Sequence, residues 1–195
     1  MNLQTLIVRN RSYRRFSRRE PVSAETLRGL VDMAGKSASA QNLQPLAYLL
    51  VHTPEGTEKV FPHLKWAGYL KDWDGPGPEE QPPAYIIVLH DTTVRTAEHL
   101  LWCDLGLACQ NILLGAVEQG LGGCLIGSAN RTALRGALSI DTRYEPLLVI
   151  ALGKPAEEAV LEEIGEGGDI RYYRDSSGVH HVPKRKLRDI IIGEI

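Results

Sequence analysis

Two short clusters carry the residue types of an anion-binding site. Arg11-Ser12-Tyr13-Arg14-Arg15-Phe16 follows a short apolar stretch, and Ser37-Ala38-Ser39-Ala40-Gln41-Asn42-Leu43-Gln44-Pro45 comes one predicted helix later. Guanidinium is always charged and forks bidentately onto paired oxygens, so Arg11 and Arg14 with the Ser12 hydroxyl suit a phosphate. Small side chains and the amides near Ser39, Asn42 and Gln44 suit the edge of a planar ring. Together the clusters read as a split site for an anionic cofactor. Each also has a plainer reading. Arginine runs form solvated faces or pair with acidic ones, here Glu157, Glu158, Glu162, Glu163 and Glu166. Ser and Asn before Gln-Pro shape a loop unaided.

The elements that would position these clusters follow from periodicity and punctuation. Leu3 to Val8 predicts a short helix that delivers the arginines, and Ser23 is a good N-cap for a second helix ending near Gly35. Apolar runs at Tyr48–His52, Ala84–His90, Cys124–Ile126 and Leu147–Leu152 predict buried strands. Between the first two, the prolines and glycines of Asp74–Pro83 mark a loop, either a surface connection or a flap. Thr93 to Gln119 predicts the longest helix, about 40 Å at 1.5 Å per residue. Its apolar residues, from Leu100 to Val117, cover nearly every side, so it is expected to be buried all round, either in part by a second subunit or by a monomer wrapped around it. Asp104, Gln110 and Asn111 interrupt it too often for a membrane span. Asn130 caps a short helix to Leu138. The tail from Ile170 predicts a hairpin and a short terminal helix. Strands interspersed with helices without regular repeats indicate an α+β layer architecture with a mostly antiparallel or mixed sheet.

Composition narrows the function classes. The chain has 195 residues, 43% of them apolar, and a net charge of −2, which offers no general attraction to nucleic acid or anionic membrane. Cys103, Cys109 and Cys124 lack the spacing of a disulfide framework or zinc knuckle. The N-terminus does not read as a signal peptide, so a cytoplasmic location is expected. His180 and His181 would point to opposite faces of a strand and do not chelate a metal. No HExxH, GxSxG or Walker A pattern occurs. Gly120-Leu121-Gly122-Gly123 fails the dinucleotide fingerprint, because Leu125 replaces its last glycine and a strand follows. Cys124 reads as a core thiol.

The quoted clusters, in a chain of this order of elements, resemble the nitroreductase family of FMN-dependent oxidoreductases from Leu6 to Pro155. The resemblance implies a nitroreductase-like α+β layered fold, a mixed or antiparallel sheet with a long buried central helix, in a single domain over 1–195. Residues 170–195 would form a C-terminal hairpin and basic extension. It implies a homodimer binding FMN at the subunit interface and passing hydride from NADH or NADPH through flavin N5 to a small acceptor such as a nitroaromatic or quinone. Such ping-pong use of one site needs no side-chain acid or base. By the same resemblance Arg11 and Ser12 grip the phosphate, Arg14 lies toward the pyrimidine side, and Ser39, Asn42 and Gln44 border the ring. The backbone at Gly127 and Ser128 passes N5, and the basic tail, Lys184 or Lys186, closes on the phosphate, with Lys186 aligning best. Asn10 departs from the pattern, standing where many members have another basic residue, with Arg9 or Arg15 as replacements. Ala38 stands where the family often has Pro. Two rival readings are a non-catalytic FMN-binding or flavin-sequestering protein and a polyanion-binding module.

Overall fold

The computed structural model describes residues 1–165 and 167–195, so Glu166 of the acidic run lies outside the described residues. The chain runs α1 (Leu3–Arg9), α2 (Ala24–Gly35), β1 (Leu46–Val51), α3 (Pro54–Val60), β2 (Ala84–Asp91), α4 (Glu98–Glu118), β3 (Gly122–Ile126), α5 (Arg131–Ala137), β4 (Tyr144–Gly153), β5 (Ala159–Glu163), β6 (Tyr173–Arg174) and β7 (His180–Lys184). Four strands form an antiparallel sheet in the order β1-β2-β4-β3. Both of its faces are covered. Ile86, Val88, Ile150 and Leu152 pack with Leu27 and Leu30 of α2 and Leu105 and Ile112 of α4. Tyr85, Ile87, Val149 and Ala151 pack on the other side with Phe16, Val60 and Leu134. Burial on both faces explains why these strands read as continuous apolar runs and not as alternation.

The caps behave as their side chains dictate. Ser23 Oγ accepts from Thr26 N at 3.0 Å, and Asn130 Oδ1 accepts from Ala133 N at 3.1 Å. The long helix departs from expectation at its start. Asp91 Oδ1 accepts from both the backbone N–H and the hydroxyl of Thr93, a local turn that competes with helix, so α4 begins at Glu98. It is therefore about 32 Å long. It is also not buried on all sides. Leu101, Leu105, Ala108, Ile112 and Ala116 face inward, while Trp102 and Leu107 are 41% and 44% exposed. α4 alone among the described helices is long and apolar enough to cross a membrane, and its buried share serves the core.

The acidic run is only partly solvated: Glu158 and Glu163 are exposed, whereas the Glu157 side chain is buried. Residues Ala159–Glu163 form β5, which pairs in parallel with β7, while β6 pairs antiparallel with β7, giving a second, three-stranded sheet. A single 3₁₀ turn, Leu187–Asp189, follows the strands where a terminal helix was expected.

Candidate functional site

The arginine segment is laid along β3. Ser12 bridges Gly123 in parallel register, and Tyr13 N–H donates to Gly123 O at 3.1 Å. This approach needs glycine at the preceding position: a Cβ at Gly122 would come within 2.5 Å of Tyr13 Cδ2 and 2.8 Å of Pro155 Cγ. Phe16, fully buried, anchors the far end, and its N–H donates to Glu80 O in the Gly/Pro-rich loop. That loop carries Glu80, paired to Arg15, and Glu79, paired to Arg19. It is thus a structural strap for the segment, and Arg15 is committed to it and does not stand in for the basic residue missing at Asn10.

A cavity of about 280 Å³ opens beside this segment, lined by Asn10, Arg11, Ser12, Arg14, Gln110 and Lys184 among others. Arg11 Nη2 donates to Ile7 O at 2.6 Å, while its Nε is buried without a partner. Desolvation pushes this guanidinium below its usual range, partly opposed by Tyr13, and it remains a cation. Asn10 Nδ2 reaches Gln110 Oε1 on α4 at 3.4 Å. Of the basic tail it is Lys184 that lines this cavity; Lys186, the better match by resemblance, does not.

Arg14 is held differently from its neighbour. It is 9% exposed, its Nη1 donates to Ser12 O at 3.1 Å, and its guanidinium lies 4.6 Å over the Tyr172 ring. The same Nη1 is 3.0 Å from His180 Nε2. A guanidinium only donates, so Nε2 accepts and His180 is neutral with its proton on Nδ1. Burial, reinforced by the Arg14 charge, pushes the His180 pKa down to about 4. Glu157, its side chain 1% exposed, accepts from the backbone N–H of both Arg14 and Arg15 and pairs with Arg174 at 2.7 Å. Glu157 alone of the acidic run's described residues thus pairs with backbone donors of the arginine segment, joining it through Arg174 to the second sheet.

Gly127 and Ser128 lie in an adjoining cavity of about 370 Å³, with Lys65, Trp66, Gly68 and Cys124 on its walls. Arg14, Leu125 and Tyr172 line both cavities. Ser128 O accepts from Lys65 N at 2.9 Å, fixing the loop after β3 against the segment after α3. The Cys124 thiol is buried and pushed up by desolvation, as a core cysteine should be.

The second cluster lies elsewhere on the chain. Ser39 and Gln44 line a smaller cavity of about 110 Å³ with Tyr48, Asp104 and Ala108, and it shares no lining residue with the other two. Ser39 Oγ donates to Asp104 Oδ2 at 2.6 Å and accepts from Gln44 N at 2.9 Å. The hydroxyl is thus occupied in shaping the loop. Gln41, Asn42 and Gln44 all have φ between 51° and 55°, a conformation costly for residues with a Cβ. Gln44 Nε2 donates to Asn42 O at 3.2 Å, and the side chains of Asn42 and Gln44 are exposed. One chain therefore presents the two clusters as separate surfaces.

Sequence reasoning passed over Gln110, Glu157, Tyr172 and His180 as site residues. The alternation of His180 and His181 was the available signal: His180 turns inward to Arg14, and His181 turns outward to Asp175 and Glu162.

The nitroreductase family model matches residues 7–75 and 79–154, most of the chain. The chain belongs to the nitroreductase family. A protein of Methanothermobacter thermautotrophicus, provisionally named NADH dehydrogenase/NAD(P)H nitroreductase, is 30% identical over 161 residues, spanning 80% of this chain and 79% of its own. The crystal structure of a nitroreductase family protein from Streptococcus pneumoniae TIGR4 has the same fold, with a TM-score of 0.70 at 17% identity over 99% of this chain and 100% of that one. An FMN-dependent nitroreductase from Clostridium difficile R20291 aligns with a TM-score of 0.62 at 22% identity, over 80% of this chain and 89% of that one. This nitroreductase carries Glu157, Tyr172, His180 and Lys184 beyond the segment that the family model matches.

Proposed function

We propose that this nitroreductase is an FMN-dependent NAD(P)H oxidoreductase that reduces small acceptors such as nitroaromatics or quinones by a ping-pong mechanism. The reading rests on one observation above the others: Arg11, whose Nε is buried and unpartnered, lines a cavity with Ser12 and Lys184. A phosphate supplies the acceptor oxygens that these donors lack, and a buried donor left unpaired is costly. Arg11, Ser12 and Lys184 would hold that phosphate, with Gln110 at the cavity wall. Gly127, exposed and free of any neighbour within 4 Å of a Cβ, leaves its backbone open to a planar ring in the adjoining cavity.

When bound, FMN supplies the two-electron chemistry, accepting hydride and passing it on. The chain's part is to bind, orient and limit access. Arg14 contributes a fixed positive charge between the two cavities. Ser39, Asn42 and Gln44, on a separate surface, would complete the site from a partner subunit, with the strained turn presenting amides to the ring. The exposed side of α4 at Trp102 and Leu107 is where that second copy would pack. A cytoplasmic homodimer with NADH or NADPH as donor completes the reading.

The visible spectrum of the purified protein, before and after anaerobic NADH or NADPH, tests it. A yellow protein that bleaches is the expected outcome and identifies the donor. Yellow colour that persists would make it a flavin carrier instead, and a colourless protein that FMN does not reconstitute would end the proposal.

A further inference from the structure

Tyr172 stands where the two main cavities meet, and it lines both. Its phenol is held on three sides. Arg14 lies 4.6 Å from the ring centroid, His180 is at 5.2 Å, and Tyr69 is at 4.9 Å. Tyr69 N–H also points at Tyr172 Oη, 3.4 Å away. The side chain thus reaches from just before β6, beyond the family match, to Tyr69, which directly follows the 65–68 segment that walls the Gly127 cavity. That segment is itself preset. Ala67, 8% exposed, has φ of 34°, and a turn from Leu70 N to Ala67 O at 2.8 Å closes it. Two residues on, Arg174 of β6 pairs with Glu157, which accepts from the backbone N–H groups of Arg14 and Arg15, so the support does not depend on one contact.

We propose that Tyr172 is a specificity-determining residue that limits the size of acceptor able to enter the cavity at Gly127 and Ser128. The proposal rests on the flavin reading above. A ring clamped between Arg14 and Tyr69 narrows the entrance with few degrees of freedom to open, since each contact would have to be given up to let a bulky molecule pass. A small planar acceptor passes without disturbing it.

The test compares the wild-type holoprotein with Tyr172→Ala, Tyr172→Phe and Tyr172→Trp. Three quantities are measured: FMN affinity by titration, kcat/KM for 1,4-benzoquinone and for decylubiquinone, and the decylubiquinone Kd of the oxidised, donor-free protein from its flavin spectrum. Tyr172→Ala is expected to raise the decylubiquinone to benzoquinone ratio of kcat/KM at least tenfold and tighten decylubiquinone binding similarly. FMN affinity, measured on the same variants, separates an effect on the acceptor from one on the cofactor, because Tyr172 lines both cavities. Tyr172→Phe keeps the ring and should match wild type, whereas Tyr172→Trp should lower the ratio, so the prediction stands even where the alanine variant folds poorly. Equal changes for both quinones, or none, in variants that hold FMN normally would overturn the size limit and leave the flavin reading intact. Absence of FMN from wild type and variants alike would overturn the flavin reading and the size limit with it.

Discussion

Arg11 and Arg14 belong to one short segment and meet different surroundings. Arg14 spends its donors on Ser12 O and His180 and its face on Tyr172, whereas Arg11 keeps a buried Nε without a partner. The two arginines looked alike as residue types, and only their neighbours separate the free donor from the satisfied one. Replacing Arg11 with Ala should remove a charge-assisted hydrogen bond worth roughly 1.5–3 kcal/mol, weakening FMN about ten- to a hundredfold. A fluorescence titration of the apoprotein with FMN measures this, and an unchanged affinity would take Arg11 out of the phosphate site. Ser39 illustrates the opposite case. Its hydroxyl donates to Asp104 and accepts from the Gln44 N–H, so it holds the strained turn that would present the amides of Asn42 and Gln44 to the ring.

At the scale of elements, the second sheet is the part that matters most and was least legible. β5 is a run of charged and apolar residues with no strand signature of its own, and its pairing with β7 joins segments that are distant in sequence. β7 carries a titratable clasp on its outer side. His181 Nε2 faces Asp175 Oδ2 at 3.2 Å and Nδ1 faces Glu162 Oε2 at 3.3 Å, with the ring stacked on Tyr173. Asp175 above all, and Glu162 with it, raise the His181 pKa against a smaller opposing effect of burial. A raised folded-state pKa means that the stabilisation is complete below the unfolded value of about 6.5 and is lost as pH rises through the folded one. The difference in Tm between wild type and His181→Gln should therefore shrink as pH is taken from 6 to 9. A difference that holds constant across that range would show that the imidazolium does not contribute.

At the scale of the whole molecule, one chain leaves two things unfinished. The strained Gln41–Gln44 turn and the Arg11 cavity lie apart, and one side of α4 bears exposed apolar residues. A second copy would address both. The helix offers a direct comparison of its two sides. Leu107 is 44% exposed and Leu113 is 6% exposed. Leu107→Glu should cost the folded monomer little, within about 0.5 kcal/mol, yet dissociate the proposed dimer, because association would bury an unpaired carboxylate. Leu113→Glu should instead destabilise the fold itself by several kcal/mol, on the order of other unpaired buried charges. Light scattering and urea melts of both variants distinguish these outcomes. A dimer of native size for Leu107→Glu would place the interface elsewhere.

The sequence by itself determined the four core strands, the capped α2, the α+β layered architecture and the family, because these depend on local patterns: continuous apolar runs, Ser23 and Asn130 as caps, and the two clusters up to Pro45. It also placed His180 and His181 on opposite faces, since alternation is a property of any strand. What only the tertiary structure decided were the partners of the charges. Whether Glu157 meets solvent, a guanidinium or two backbone N–H groups, and which lysine of the tail reaches the Arg11 cavity, depends on contacts between residues more than a hundred positions apart. Charge attraction is long-ranged and weakly directional, so composition alone leaves such pairings open; burial and backbone geometry select among them.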